Sequence, residues 1–329
     1  MGPKQCYRLS QELFASYMRR HPKRPQRLVL DLDTTDDPLH GQQELRFFHG
    51  HYDEYIYLPL LIFDDERDLV AAVLQPGSRN GAQLAVSVLK RVIRRLRQKW
   101  PGVPLLIRGD AAFATPELYR LCHREKVDFL LGFSTNVRLK KLAAGVAEKA
   151  RRQHLRTGTK AKRFKAIQYR ASGGNHPTRW PRSYKVVIKA EHTEEGANTR
   201  FVITSLAGRP DQLYHQYVQR GGPCENSIKD LKRALCADRL SCHRFWGQPV
   251  PPALACSGVR PDAHVAAGGR GNGASQRADG YSTLAPAQDR RPDSQHRAAA
   301  MVPPRVQLPD AGPLDATGPP PSPDRATFG

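Results

Sequence analysis

Three acidic residues, each in a different local setting, are the side chains of this sequence best suited to metal-assisted chemistry. Asp33 ends an apolar run that begins at Leu28, and Asp110 ends a second run that begins at Pro104. Glu225 lies in a later, basic stretch with helical propensity. Two carboxylates at strand ends and one on a helix can hold a pair of Mg²⁺ ions, which prefer oxygen ligands. Two ions about 4 Å apart can act on the attacking and leaving oxygens of a phosphodiester, so the pattern indicates chemistry on nucleic acid.

The charge of the chain agrees with a nucleic-acid partner. The 329 residues contain 52 Lys or Arg against 31 Asp or Glu, which gives a formal net charge of +21. A field of this sign attracts polyanions and speeds encounter with them. The alternative is a soluble protein that is merely basic, and that alternative leaves the acids at the strand ends without a role.

The sequence gives no sign of a membrane or secretory protein. No run of 18 apolar residues is present, so we expect no membrane partner. Residues 1–4 lack the apolar core of a signal peptide. The six cysteines include no Cys-x-x-Cys pair, so reduced cytoplasmic thiols are expected and a zinc site is not.

The first half of the chain has the element order of an RNase H-like core. Strands are expected at 27–33, 44–50, 54–63, 104–109 and 127–133, and helices at 7–20, at 82–100 and from Thr115 onward. This order predicts an α/β fold, in which a mixed sheet is flanked by helices. In such a core the first and fourth strands are neighbours, so Asp33 and Asp110 are expected to meet at the end of the sheet.

The second half begins with a basic stretch at 138–170 whose single acid is Glu148. Both a helix and a disordered segment are open for it. Strands near 184–189 and 200–204 then indicate a β-rich insertion, and Glu225 follows on a helix of about 223–236.

After Trp246 the composition changes to Pro, Gly, Ala and Arg with no apolar period. Such a segment cannot bury enough apolar surface to offset its ordering entropy, so a disordered tail is expected. Translation of a GC-rich gene out of frame would give the same composition. The predicted organisation is a residual N-terminal helix at 1–26, the first part of the core at 27–137, a basic and β-rich insertion at 138–208, the glutamate helix and the rest of the core at 209–247, and the tail at 248–329.

Five segments in this order resemble a DDE transposase of bacterial insertion sequences, in the insertion-sequence-four superfamily and nearest to its insertion-sequence-thirteen-eighty branch. The resemblance covers roughly residues 7–246. The matching segments are 30–43, 57–60, 109–113, 189–192 and the stretch around Glu225.

The resemblance implies an RNase H-like catalytic domain with a β insertion ahead of the glutamate. Asp33, Asp110 and Glu225 would be the catalytic, metal-binding triad for two Mg²⁺ ions, with Mn²⁺ as a possible substitute. Asp31 is a rival of Asp33 because it lies on the same strand face, and we favour Asp33 because it ends the strand.

The helix signature of the family is Tyr, two residues, Arg, three residues, Glu, six residues, Lys. Tyr217 and Arg220 fit this spacing, and so do Glu225 and Lys232, but four residues separate Arg220 from Glu225. Arg220 is therefore expected to be displaced relative to the glutamate. The residues expected to contact nucleic acid are Tyr217, Arg220, Lys232, Lys160, Lys162, Arg163 and Lys165; solvated surface is the alternative for all of them.

The function predicted from the resemblance is cleavage and strand transfer at insertion-sequence ends. Double-stranded DNA, as element ends and as target, is the expected partner, and the intact family forms homo-oligomers. The expected location is the cytoplasm of a bacterium, at the nucleoid. The short N-terminal region and the tail depart from the family and predict a truncated, frameshifted and defective copy. The alternatives are an RNase H-like nuclease without strand transfer and an inactive remnant that binds nucleic acid.

Overall fold

The computed structural model describes residues 3–50, 52–78, 84–171, 180–235 and 242–247. The helices are α1 (Pro3–Arg20), α2 (Ala85–Lys99), α3 (Pro116–Glu125), α4 (Val137–Thr157), α5 (Pro210–Val218) and α6 (Gly221–Leu235). The strands are β1 (Leu28–Thr34), β2 (Asp37–Pro38), β3 (Phe47–His49), β4 (Glu54–Tyr57), β5 (Leu60–Asp64), β6 (Leu69–Val73), β7 (Leu105–Gly109), β8 (Asp128–Phe133), β9 (Ala161–Tyr169), β10 (Tyr184–Thr193) and β11 (Gly196–Thr204). The tail expected at 248–329 lies outside the described residues.

The main sheet has eight strands in the order β6-β5-β1-β7-β8-β11-β10-β9. β1, β7 and β8 run parallel, whereas β5 and β6 pair antiparallel beside β1. The register of β1 on β7 runs from Leu28 opposite Leu105 to Asp31 opposite Arg108. The predicted mixed α/β sheet flanked by helices is therefore confirmed, and the first and fourth predicted strands are neighbours.

One predicted strand is wrong, because the run 54–63 forms two strands in two different sheets. β4 joins β2 and β3 in a separate three-stranded sheet, whereas β5 lies in the main sheet. The break falls at Leu58-Pro59, where proline has no N–H for a ladder and the Leu58 N–H donates to Gln75 O at 2.9 Å. The sequence reading also missed β6, whose short apolar run Leu-Val-Ala-Ala-Val has no alternation.

The predicted insertion extends the main sheet. β11 pairs antiparallel with β8, and β10 and β9 follow it outward. The basic stretch at 138–170 contains α4 and β9, so the helical alternative is the correct one for its first part. Asn136 begins α4 by accepting from Leu139 N–H, and Gly158 ends it in the left-handed conformation.

The two faces of the main sheet are covered by different helices. Leu30 and Leu32 of β1 face the larger core cluster, which includes residues of α2, α3 and α4. Val29 points the other way and packs with Leu213 and Tyr214 of α5. Because side chains alternate along a strand, Asp31 and Asp33 lie on the face covered by α5 and α6. Among the helices of the described residues, none combines the length and apolar character needed to cross a membrane.

Candidate active site

The carboxyl ends of β1 and β7 bring two predicted acids to one end of the sheet. Asp31 lies opposite Arg108, so the same register continued by two residues sets Asp33 beside Asp110. Neighbouring strands are about 4.8 Å apart. Thr34 N–H donates to Asp33 Oδ1 at 2.9 Å, and Ala112 N–H donates to Asp110 Oδ1 at 2.9 Å. Each carboxylate therefore has one oxygen fixed by the backbone that follows its strand.

The junction between α5 and α6 brings two more predicted residues to this pair. Arg220 Nη1 donates to Leu32 O at 3.0 Å and to Asp33 Oδ2 at 3.3 Å. Gly132 of β8 makes room for Tyr217, because a Cβ at Gly132 would lie 2.7 Å from the Tyr217 hydroxyl and 3.1 Å from the Asp110 carbonyl carbon. Tyr217 and Arg220 therefore converge on the two aspartates, as predicted from their spacing.

The electrostatics of the pair favour a cation. Burial raises the pKa of Asp33; Arg220 opposes this shift and the charge of Asp110 adds to it. Burial likewise raises the pKa of the Tyr217 phenol, again against the effect of Arg220. Since Arg220 does not compensate the buried negative charge in full, a bound cation would stabilise the ionised pair.

The third predicted acid is not turned toward the pair. Glu225 is exposed, whereas Cys224, only 2% exposed, directs its Sγ to Asp33 Oδ2 at 3.5 Å. The sequence reading missed Cys224. The available signal was its position four residues after Arg220, which is the distance that the family signature gives to the glutamate.

Asp31, the rival of Asp33, belongs to a buried ion pair. Arg108 Nε donates to Asp31 Oδ1 at 2.6 Å, and Arg108 Nη2 donates to Asp31 Oδ2 at 2.7 Å. Burial still raises the pKa of Asp31, in spite of the opposing effect of Arg108. Both carboxylate oxygens are engaged by a guanidinium, which assigns Asp31 a structural role.

The remaining predicted residues lie away from the aspartate pair. Lys232 Nζ donates to Asp36 O at 2.6 Å and pairs with Asp36 Oδ1 at 3.2 Å, in the loop after β1. Lys160 pairs with Glu191 Oε1 at 3.0 Å. Lys162, Arg163 and Lys165 are exposed on β9, at the other end of the strand order from β6.

A polar cleft opens on the α5 face of the sheet. It reaches from the Asp31–Arg108 pair to Lys162 and Phe164 of β9. The Phe164 and Tyr214 ring centroids are 5.6 Å apart, and Lys189 Nζ lies 5.6 Å from the Tyr214 ring centroid. Cationic side chains interleaved with aromatic rings are typical of surfaces that bind single strands and phosphate backbones. The cationic residues that line this cleft are Arg27, Arg108, Lys162, Lys189 and Arg200.

A second acidic cluster lies at the other end of β5. His21 Nε2 is 2.8 Å from Asp68 Oδ2 and 3.7 Å from Asp64 Oδ2, and the possible ligand atoms of the three residues lie within 4.8 Å of one another. Burial raises the pKa of Asp64 to about 6. Because Asp64 pairs with Leu30 while Asp33 pairs with Leu61, this cluster is distinct from the aspartate pair. Its contacts tie the end of α1 to the β5–β6 turn.

The donor set at the end of β1 and β7 fits a hard divalent ion in part. Asp33 and Asp110 offer carboxylate oxygens, which suit Mg²⁺ and Mn²⁺. The Cys224 thiol is a soft donor that suits neither as well. The arrangement therefore supplies two ligands of the expected kind from the strands, and α6 directs a different kind at Asp33.

Comparisons with known proteins agree with this architecture. Two solved structures are similar in fold. One is piggyBac transposase in a synaptic complex with hairpin DNA, at 15% identity over 75% of this chain and 49% of that chain, with a TM-score of 0.42. The other is the simian T-cell lymphotropic virus intasome in complex with PP2A regulatory subunit B56 gamma, at 11% identity over 57% of this chain and 84% of that chain, with a TM-score of 0.22. The match spans about half the length of the piggyBac chain.

A comparison with curated proteins found no match. The family model described as "transposase DDE domain group 1" matches residues 2–251. This match covers most of the chain, including every residue discussed above. The chain therefore belongs to the transposase DDE domain family, group 1.

Proposed function

We propose that this chain is the catalytic part of a bacterial transposase of the insertion-sequence-four superfamily, in its thirteen-eighty-like branch. It would cleave double-stranded DNA at element ends and join those ends to a target duplex. The observation that carries the proposal is the pair Asp33 and Asp110 at neighbouring strand ends, with Tyr217 and Arg220 converging on it. By the same resemblance the protein would work as a homo-oligomer at the nucleoid.

Asp33 and Asp110 would hold two Mg²⁺ ions, or Mn²⁺ in their place, through carboxylate oxygens. When bound, such ions activate a water or a DNA 3′-hydroxyl and stabilise the leaving oxygen of a phosphodiester. The backbone N–H groups of Thr34 and Ala112 keep the two carboxylates oriented before any ion arrives. Glu225 is the third acid that the family resemblance suggests.

Arg220 and Tyr217 would position the phosphate at the cleavage point. The Arg220 guanidinium has a planar set of donors, which suits a phosphate, and it already lies beside Asp33. Lys232 lies at the loop after β1 and would contact the DNA backbone nearby. The duplex would continue along the cleft toward β9, held through its phosphates by Lys160, Lys162, Arg163 and Lys165.

Cleavage assays with amide variants test the aspartate pair. Asp33→Asn and Asp110→Asn are expected to abolish Mg²⁺-dependent cleavage of DNA that carries the element ends, because amides bind hard cations more weakly than carboxylates do. DNA affinity measured by fluorescence anisotropy should persist. Glu117→Gln, an acid-to-amide change on the exposed first turn of α3, is the matched control and should cleave at the parent rate. Cleavage by either aspartate variant at the parent rate would contradict the proposal.

Two other functions make different predictions in the same assay. A nuclease without strand transfer would cut the ends and never join them to a target duplex. A remnant that only binds nucleic acid would show no metal-dependent cutting, and the orientation of Cys224 toward Asp33 is the specific observation in its favour.

A further inference from the structure

The orientation of α6 over the aspartate pair is fixed by two consecutive contacts to the same oxygen. Arg220 Nη1 lies 3.3 Å and Cys224 Sγ lies 3.5 Å from Asp33 Oδ2. Cys224 N–H donates to Arg220 O at 3.1 Å, a helical hydrogen bond that stacks the two residues one turn apart. The side chain that this helix directs at Asp33 is therefore the one at position 224.

Packing holds the helix in this orientation. Cys224, Ser227 and Leu231 are buried at 2%, 0% and 4% exposure, at the spacing of one helix face. Cys224 and Leu231 pack with Leu61 and other apolar residues of β5 and β6.

Polar contacts hold the helix as well. Arg67, in the β5–β6 turn, donates from Nε to Ser227 Oγ at 3.3 Å and from Nη2 to Asp230 Oδ2 at 3.0 Å. Glu225 is one residue further on, which is about 100° around the helix. Turning Glu225 toward Asp33 would expose the packed face and break the contacts of Arg67.

We propose that position 224 is where α6 supplies a ligand to the metal ions, and that Cys224 leaves the site with two carboxylates instead of three. The inference rests on the proposed function of Asp33 and Asp110. A thiol is a poor partner for hard ions, so divalent affinity in this chain is limited by position 224 and is indifferent to Glu225. A single substitution would then complete the site.

Mn²⁺ binding, measured by titration calorimetry and by the electron paramagnetic resonance signal of free Mn²⁺, tests the proposal on the full chain. Cys224→Glu is expected to tighten Mn²⁺ binding at least about tenfold, which corresponds to about 1.4 kcal/mol. Cys224→Gln, which has the same size without the charge, should give no tightening. Glu225→Gln, an exposed change, should alter the affinity less than about twofold.

Thermal unfolding supplies a second readout. A third carboxylate buried beside Asp33 and Asp110 repels them, so Cys224→Glu should melt below the parent without metal. Because a ion that binds only the folded state stabilises it, saturating Mn²⁺ should raise the Tm of this variant more than that of the parent. An equal rise for both would overturn the proposal.

Two further results separate the inference from the function beneath it. If Glu225→Gln weakens Mn²⁺ binding tenfold while Asp33→Asn abolishes it, the inference fails and the aspartate pair remains the metal site. If Asp33→Asn leaves Mn²⁺ binding unchanged, both fail. Because Glu225 is exposed, its variant carries the test even if Cys224→Glu does not fold.

Discussion

Replacing Arg108 by methionine is expected to destabilise the fold by roughly 4–6 kcal/mol. Arg108 and Asp31 form a two-bond pair at 2.6 and 2.7 Å, and their side chains are only 8% and 3% exposed. Removing one partner of a buried pair costs about 3–5 kcal/mol, because the other charge stays buried alone. The lost hydrogen bond from Arg108 Nη1 to Gln216 O adds about 1 kcal/mol. A loss of this size is a large part of the 5–15 kcal/mol that typically holds a domain together.

Urea unfolding followed by circular dichroism measures this loss, and a double variant identifies its cause. In Asp31→Leu with Arg108→Met the pair becomes apolar at similar volume, and most of the lost stability should return. The orphaned Asp31 of the single variant should also have a further raised pKa. Since a raised carboxyl pKa gives stability at low pH that is lost as the pH rises through it, the single variant should be penalised less at about pH 5 than at about pH 8. A double variant as unstable as Arg108→Met would refute the reasoning, because the loss would then come from the missing arginine stem.

Three other predictions concern separate features of the molecule. Burial raises the pKa of Asp64 from 3.8 to about 6, so its charge costs stability that is present below pH 3.8 and lost as the pH rises through about 6; by linkage Asp64→Asn should gain about 3 kcal/mol over the parent between about pH 4 and pH 8 in urea unfolding, and a pH-independent difference would contradict this. Gly132→Ala would put a Cβ 2.9 Å from Ala111 N and 2.7 Å from the Tyr217 hydroxyl, so it should lower the cleavage rate and cost about 1–3 kcal/mol, whereas Gly145→Ala, with open space around it, should be neutral or stabilising. Changing the basic residues of the β9 region to glutamine should weaken DNA binding equally across sequences and flatten the slope of log affinity against log salt, and an unchanged slope would show that β9 does not touch DNA; these residues are Lys160, Lys162, Arg163 and Lys165.

The placement of Asp33 and Asp110 could be predicted because it follows from local signals. Each acid ends an apolar run, and strand-helix-strand order makes those two strands neighbours. The orientation of α6 could not be predicted with the same means. One extra residue between Arg220 and Glu225 leaves two possible helix faces, and only the packing of Cys224 against β5 and β6 decides between them.

The assignment of Asp31 and the division of the sheets also needed three-dimensional information. Asp31 and Asp33 share a strand face, so only the position of Arg108 on the neighbouring strand assigns Asp31 a structural role. The run from 54 to 63 reads as one strand, and the hydrogen bond from Leu58 to the distant Gln75 is what divides it. Both outcomes depend on contacts between residues far apart in the sequence.

The outer strand β9 also has a consequence for self-association. In the part of the chain that the structure describes, β9 pairs on one side only, with β10, whereas α1 packs along β6 at the opposite end. An open strand edge is a template for fibril growth, and like charges on approaching copies oppose that growth. Lys162, Arg163 and Lys165 give β9 such a charge. The solubility of the chain is therefore expected to fall at about 1 M salt, where screening acts within about 3 Å and the repulsion between copies is lost.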